Sequence, residues 1–184
     1  MKLGASPQFN GRVDCHLWAR HCRPTWEYLL SATTEHIFLD KQHPALWRAL
    51  NGLGLKVREA AEAAGLDGKT VELLHVRISQ LNGCAYCLDL HVRDALRAGE
   101  SGQRLAVLPA WRETALFTEK ERAALALAES ITELPDHHAQ AQEEAFAREH
   151  LTEEEFSIVS WLAITMNAFN RISITSHHPV RRDR

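Results

Sequence analysis

The feature that most limits what this chain can fold into is a repeated three- and four-residue spacing of apolar residues, interrupted by helix-stop signals. This spacing places apolar side chains on one face of a helix. In residues 69–81 that face consists of Val71, Leu74, Ile78 and Leu81. Asn82-Gly83 ends the run, because both residues readily adopt positive φ. No segment alternates apolar and polar residues convincingly enough to compete as a strand, so the pattern predicts an all-α fold.

Helix-start signals divide the remaining chain into further helices. Thr118 with Glu121 and Thr152 with Glu155 form capping-box patterns, in which two side chains satisfy backbone N–H groups at a helix start. Proline suits the first helical turn, where its missing N–H is not needed. We expect helices over 25–35, from Pro44 to about Gly65, over 69–81, over 84–98, from Thr118 to about 134, after Asp136, and from Thr152 to about 176, with a loop around Pro109 and Trp111.

The length fits a single domain. A chain of 184 residues buries roughly two thirds of the surface that its unfolded form exposes. The sequence shows no internal repeat, linker or low-complexity segment, and short turns favour helices that pack antiparallel. We therefore expect a single-domain helical bundle over residues 41–180. An N-terminal arm over 1–40 precedes it, and a basic tail over 181–184 follows.

Composition and charge exclude several functional classes. The net charge is −3 and the pI is about 6.4, so the chain lacks the positive field that gathers nucleic acid. No apolar run is long enough to span a bilayer, and no secretory leader is recognisable. We expect a cytoplasmic protein that contacts neither membrane nor nucleic acid. Four cysteines are too few for a disulfide scaffold, and in a reducing compartment a close pair is more often catalytic or metal-binding.

One such pair, Cys84-x-x-Cys87, falls at the first turn of a predicted helix. Unpaired N–H groups and the helix dipole favour a thiolate at this position. His91 follows Cys87 by four residues, so the two side chains share a helix face and the imidazole can accept the thiol proton. The pattern indicates a nucleophile with its base.

Glu72 and Cys84 extend this constellation. The Asn82-Gly83 turn would fold the preceding helix back, so that the Glu72 carboxylate approaches His91 or the thiols and orients the imidazole. A sulfenic acid on one cysteine of such a pair condenses with the other to a disulfide, which makes Cys84 the natural resolving thiol.

The order Glu72, eleven residues, Cys84-x-x-Cys87, three residues and His91 resembles the active-site pattern of the alkylhydroperoxidase D group of the carboxymuconolactone decarboxylase-like family. Residues 79–87, 111–114 and 167–171 are similar to its peroxidase-related subgroup. The resemblance covers about residues 36–180.

The resemblance implies an all-helical bundle that assembles as trimers or hexamers and reduces organic hydroperoxides or hydrogen peroxide. It implies that Cys87 is the peroxidatic nucleophile, Cys84 the resolving thiol, His91 the base and Glu72 part of the proton relay. A thiol or dithiol protein would supply electrons, and neither a cofactor nor a metal would be required. Tyr86 departs from the pattern, because a histidine holds this position in the best-known members.

Other interpretations stay open. Cys84, Cys87 and His91 are able to bind zinc with a fourth ligand from Glu72 or His75, or the thiols are inert. Different functions would be a decarboxylase or isomerase acting on a small lactone, and a non-enzymatic redox sensor or interaction protein. We interpret Cys15 and Cys22, which lie beside His16 and His21, as free thiols. Asn167, Asn170 and Arg171 interrupt an apolar helix and indicate a buried polar network, an interface or the edge of a site.

Overall fold

The computed structural model describes residues 36–180 and residue 182, and within this part of the chain all regular structure is helical. The helices are α1 Leu39–Gln42, α2 Pro44–Ala63, α3 Gly68–Asn82, α4 Ala85–Arg97, α5 Gly102–Val107, a 3-10 helix Leu108–Glu113, α6 Glu119–Glu133, α7 His137–His150 and α8 Glu153–Thr175. The predicted all-α fold is confirmed. The helix expected over 25–35, Cys15, Cys22 and most of the basic tail lie outside the described residues.

Helix α3 carries many of the buried side chains, and other helices pack against several of its faces. It contacts α4, α6 and α8 extensively, and α8 also packs against α2 and α6. Its core side chains include Leu73, Leu74, Val76 and Ile78, all completely buried. Burial of large apolar side chains is the main source of stability in such a bundle. The arrangement also brings the buried side chains of α3 against α4, where the two cysteines lie.

Three of the helix starts follow the predicted capping signals. Both capping boxes form, with Thr118 accepting a hydrogen bond from the Glu121 N–H and Thr152 from the Glu155 N–H. Asp136 accepts bonds from two N–H groups in the first turn of α7. Gly83 ends α3 with a φ of +67°, a conformation that glycine adopts without steric cost.

The expected loop around Pro109 and Trp111 is instead helical, as α5 and the 3-10 helix. These elements have only six residues each, too few to produce a recognisable apolar period. Their position is fixed by Trp111, which is buried and donates a hydrogen bond from Nε1 to Glu129 Oε1 at 2.7 Å. Tertiary contacts therefore stabilise this segment.

A buried polar network connects α3, α6 and α8. The Asn82 amide donates to Asn167 Oδ1 at 2.9 Å and to Asn170 Oδ1 at 2.8 Å. Asn167 in turn donates to Thr132, and Asn170 donates to Ser79. Asn170 is fully buried. Of the three interpretations of this asparagine cluster, the structure shows the polar network.

Several large apolar side chains remain exposed on the outer helices. Leu46 on α2 is 69% exposed, and Trp161 and Ile164 on α8 are 47% and 50% exposed. Residues three apart on a helix share a face, so Trp161 and Ile164 form one apolar surface. Among the described residues, no helix combines the length and apolar character that crossing a membrane requires.

Candidate active site

The Cys-x-x-Cys pair lies at the start of α4. Cys84 is the residue that caps the helix, and its Sγ accepts a hydrogen bond from the Cys87 N–H at 3.3 Å. The two sulfur atoms form a disulfide, with the Cα atoms 5.3 Å apart. Both residues are almost completely buried. The helix start thus presents its unpaired N–H groups to the sulfur of the pair, an environment that favours a thiolate after reduction.

The turn at Gly83 brings Glu72 of α3 against His91 of α4. His91 Nδ1 lies 2.7 Å from Glu72 Oε2, a short hydrogen bond. Glu72 is only 3% exposed, and a buried carboxylate requires partners of this kind. When neutral His91 donates through Nδ1, its Nε2 is left as the basic atom. The structure thus joins Cys84 to Cys87 and pairs His91 with Glu72, with Glu72 before the turn and the other three residues after it.

Two residues that were not part of the predicted set complete the surroundings of Glu72. Arg58 of α2 donates from Nη2 to Glu72 Oε1 at 2.6 Å. His75, one turn after Glu72, places Nδ1 at 3.5 Å from Oε2, and its ring centroid lies 4.6 Å from that of His91. The spacing of three residues from Glu72 was the available signal for His75. No sequence signal placed Arg58 there, because its position depends on how α2 packs on α3.

The electrostatics of this cluster favour an ionised Glu72 beside a neutral His75. Burial alone would raise the pKa of Glu72, but its contacts with His75 and His91 outweigh burial and hold the pKa well below its ordinary value. Burial lowers the pKa of His75 below its ordinary value, despite the attraction of Glu72. Glu72 is therefore able to orient the neighbouring imidazoles without itself exchanging protons near neutral pH.

A cavity of about 270 Å³ opens beside these groups; we call it the His91 cavity. Apolar side chains of α2 and α8 form most of its wall, with Arg58, His75 and His91 on one side. The apolar lining residues are Leu55, Val57, Leu162, Met166 and Phe169. Such a cavity is able to hold a small, largely apolar molecule next to His91.

Tyr86 faces a different part of the surface. It lines a larger groove of about 690 Å³ together with Leu90 and His178. Its ring packs edge-on against the ring of His178, with the centroids 5.2 Å apart. His178 is held in turn by Asp40, whose Oδ1 lies 3.2 Å from Nε2. Tyr86 thus lines a groove that is separate from the cavity lined by His75 and His91.

The fold and the site together define a class of all-helical protein. A disulfide-forming Cys-x-x-Cys pair lies at a helix start, and a histidine one turn further on is hydrogen-bonded to a buried carboxylate of the preceding helix. The sequence profile of the Carboxymuconolactone decarboxylase family matches residues 44–130. The uncharacterized protein YdfG of Bacillus subtilis is 36% identical over 120 residues, which cover 65% of this chain and 82% of that protein. The chain therefore belongs to the carboxymuconolactone decarboxylase family.

Two further relatives agree with this assignment. The uncharacterized protein YnjA of Escherichia coli is 38% identical over 71 residues, which cover 38% of each chain. A solved structure from Agrobacterium tumefaciens superposes with a TM-score of 0.71 at 30% identity, covering 79% of this chain and 99% of that one. That protein is described as one of unknown function and as a candidate antioxidant defence protein AhpD. The chain therefore has an AhpD-like helical fold.

Proposed function

We propose that this protein is a thiol-dependent peroxidase that reduces organic hydroperoxides or hydrogen peroxide through a Cys84–Cys87 dithiol–disulfide cycle. The observation that carries the proposal is the pair at the start of α4, joined as a disulfide one helical turn before His91, which is hydrogen-bonded to Glu72. Membership of the family and the likeness to an AhpD-like antioxidant defence protein support a peroxidase-related role.

The first step would occur at Cys87. His91 accepts the Cys87 proton, and the resulting thiolate attacks one oxygen of the peroxide. The O–O bond breaks, an S–O bond forms, and the leaving oxygen takes a proton and departs as an alcohol or as water. Cys87 is oxidised to a sulfenic acid. Glu72 holds the imidazole in orientation through the 2.7 Å bond to Nδ1.

The second step would close the disulfide. The Cys84 thiolate attacks the Cys87 sulfur, an S–S bond forms, and hydroxide leaves and is protonated to water. The Cα separation of 5.3 Å lies in the ordinary range for a disulfide. An external thiol or dithiol protein then reduces the disulfide by exchange, giving up two electrons and regenerating both thiols. We further propose that the cycle runs in the cytoplasm, on a domain over residues 41–180 that follows an N-terminal arm.

The deciding experiment is mass spectrometry after one equivalent of cumene hydroperoxide. It compares the reduced protein with Cys84→Ser and Cys87→Ser, all in a Cys15→Ser/Cys22→Ser background that removes the two remaining thiols. We expect a Cys84–Cys87 disulfide in the parent, and a sulfenic acid trapped on Cys87 when Cys84 is replaced. A dithiol reductant should then sustain peroxide consumption.

Three outcomes would contradict the proposal. Thiols that stay reduced in the presence of peroxide would exclude the peroxidase cycle. Stoichiometric oxidation without turnover, accompanied by a change in oligomer size, would favour the redox sensor. Activity on a small lactone that survives Cys87→Ser would instead favour a decarboxylase or isomerase.

A further inference from the structure

Three side chains of the site bring together atoms of the kind that bind transition metals. Ligand atoms of Glu72, His75 and His91 all lie within 4.8 Å of one another. We propose that these three residues form a binding site for a divalent transition-metal ion of the zinc type. We also propose that the ion blocks the peroxidase cycle, and only this second part rests on the proposed function.

The distances around Glu72 Oε2 match such a site. Zinc bonds of about 2.0–2.1 Å in tetrahedral geometry place neighbouring ligand atoms roughly 3.3 Å apart. His75 Nδ1 is already 3.5 Å from Oε2, whereas His91 Nδ1 is 2.7 Å away. The shorter contact contains a hydrogen-bonded proton. A metal ion would take the place of that proton, and the two atoms would move apart by about half an ångström.

His75 supplies a second and independent observation. Its Nδ1 is buried and has no hydrogen-bond partner among the described residues. A buried polar atom without a partner costs free energy, and most such atoms in proteins have a bond to protein, water or an ion. Nδ1 lies near the oxygen that already holds His91, so a cation between the three residues would satisfy it.

The surroundings leave room for access and for a fourth ligand. His75 and His91 both line the His91 cavity of about 270 Å³, from which an ion with its water is able to enter. Three protein ligands with one open position are typical of accessible zinc sites. Cys84 and Cys87 are bonded to each other, so in this form their sulfur atoms are not available as thiolate ligands and the site consists of Glu72, His75 and His91. This differs from the thiolate zinc site considered from the sequence.

Arg58 opposes the cation and limits its affinity. Its guanidinium occupies Glu72 Oε1 at 2.6 Å, and its positive charge repels a second cation. The Arg58 side chain is 53% exposed, so it is able to move away at small cost. We therefore expect Arg58→Gln to strengthen metal binding.

Bound metal would stop the proposed cycle because the ion and the Glu72–His91 hydrogen bond need the same atoms. The ion occupies the His91 and Glu72 atoms that form the hydrogen bond between them. His91 then carries the charge of the ion on its ring and is a poorer acceptor for the Cys87 proton. No redox change of the metal is involved.

The test is a titration of the disulfide form with Co²⁺, followed by its visible absorption, and with Zn²⁺ in competition. Both this protein and a Cys84→Ser/Cys87→Ser variant carry Cys15→Ser/Cys22→Ser, so the second titration is done on a protein without any thiol. We expect about one equivalent bound in both. His75→Gln should weaken binding at least tenfold, since loss of even an outer-shell partner commonly costs 10–100-fold. His137→Gln, at an exposed histidine of α7, is the matched control and should leave binding unchanged.

Equal binding by the parent and His75→Gln would overturn the proposal, as would binding that disappears with the thiols. If His75→Gln fails to fold, as judged by its melting temperature, His91→Gln provides the second variant for the same titration. Peroxide turnover is measured separately: Zn²⁺ should inhibit the parent but not His75→Gln. A protein that binds Co²⁺ as expected but never consumes peroxide would disprove the proposed function and leave the metal site standing.

Discussion

Three basic side chains surround one carboxylate at the centre of the site. Arg58 bonds to Oε1 of Glu72, while His75 and His91 lie against Oε2. A charge as deeply buried as this one would be very unfavourable alone, and removing its partners would leave the desolvation penalty of the carboxylate uncompensated. Glu72 therefore has a structural and a chemical part: it holds three helices together and fixes the orientation of His91.

The base assigned to His91 can be tested at the level of this residue. General acid–base groups commonly contribute about 10²–10⁴-fold to rate. We expect His91→Asn to slow oxidation of Cys87 by roughly 100-fold at neutral pH. Stopped-flow measurement of thiol loss with cumene hydroperoxide gives this rate directly.

His137→Asn is the control for this experiment, because the residue is exposed on α7 and the substitution is identical. Both variants should have the fold of the parent by circular dichroism. An unchanged oxidation rate in His91→Asn would remove the histidine from the proposed mechanism.

The sequence predicted part of this residue-scale arrangement. The sharp turn at Gly83 predicted that Glu72 approaches His91 or the thiols, and the structure places it against His91. Glu72 itself was singled out mainly by the resemblance to the family pattern. Arg58 was missed, because a surface-like arginine on α2 has no local pattern that indicates a partner on α3. Contacts between helices depend on packing angles, which local periodicity does not specify.

At the scale of elements, the start of α6 combines two stabilising interactions in one residue. Glu121 completes the capping box with Thr118, and it also forms an ion pair with Arg104 of α5. Burial raises the pKa of Glu121, but the bonds from Arg104 and Thr118 outweigh burial and lower it overall. The carboxylate thus connects α5 to the first turn of α6.

This lowered pKa predicts how stability depends on pH. The folded state binds the Glu121 proton less readily than the unfolded state, so its contribution is present above the unfolded pKa of about 4.3 and is lost as pH falls through the folded pKa. We expect Glu121→Gln to reduce the free energy of unfolding at pH 7 by roughly 1–2 kcal/mol. Below pH 4 the difference from the parent should shrink.

Urea unfolding between pH 3 and pH 7 would measure both effects. Glu154→Gln, at an exposed position in the first turn of α8, is the control and should change stability little. A difference between Glu121→Gln and the parent that stays constant over this pH range would contradict the argument.

Elements with their own start and stop signals were predictable, and elements without them were not. Helices α6, α7 and α8 begin after the predicted capping residues Thr118, Asp136 and Thr152. The 3-10 helix was mistaken for a loop. It depends on the bond from Trp111 to Glu129 and on the burial of Trp111, and a single tryptophan gives no periodic signal.

At the scale of the whole molecule, the exposed apolar residues suggest further association. Trp161 and Ile164 present one apolar surface on α8, and contiguous surfaces of this kind commonly mark interfaces. We expect a homo-oligomer, a trimer or hexamer by the resemblance to the family. Light scattering coupled to size exclusion should report a multiple of the 20.8 kDa chain.

The same surface offers a variant test. Trp161→Glu/Ile164→Glu should shift the protein toward smaller species, because a charge in an apolar contact carries a desolvation cost. Leu116→Glu, at an exposed leucine outside α8, should not. A monomeric parent at working concentration would contradict the expectation. A single sequence cannot specify the number of copies, because symmetry is a property of the surface as a whole.

The hydrogen bonds of the Asn82 amide limit how much the protein changes shape between its dithiol and disulfide forms. Asn82 lies two residues before Cys84, and its amide is held by Asn167 and Asn170 of α8. The Cys84 N–H bonds back to the Ser79 carbonyl. The backbone that leads into the thiols is thus anchored independently of the sulfur bond. Oxidation and reduction would then leave the outline of the molecule nearly the same. A partner that binds only one redox state would then have to contact the sulfur atoms directly, because the shape of the surrounding surface would differ little between the two states.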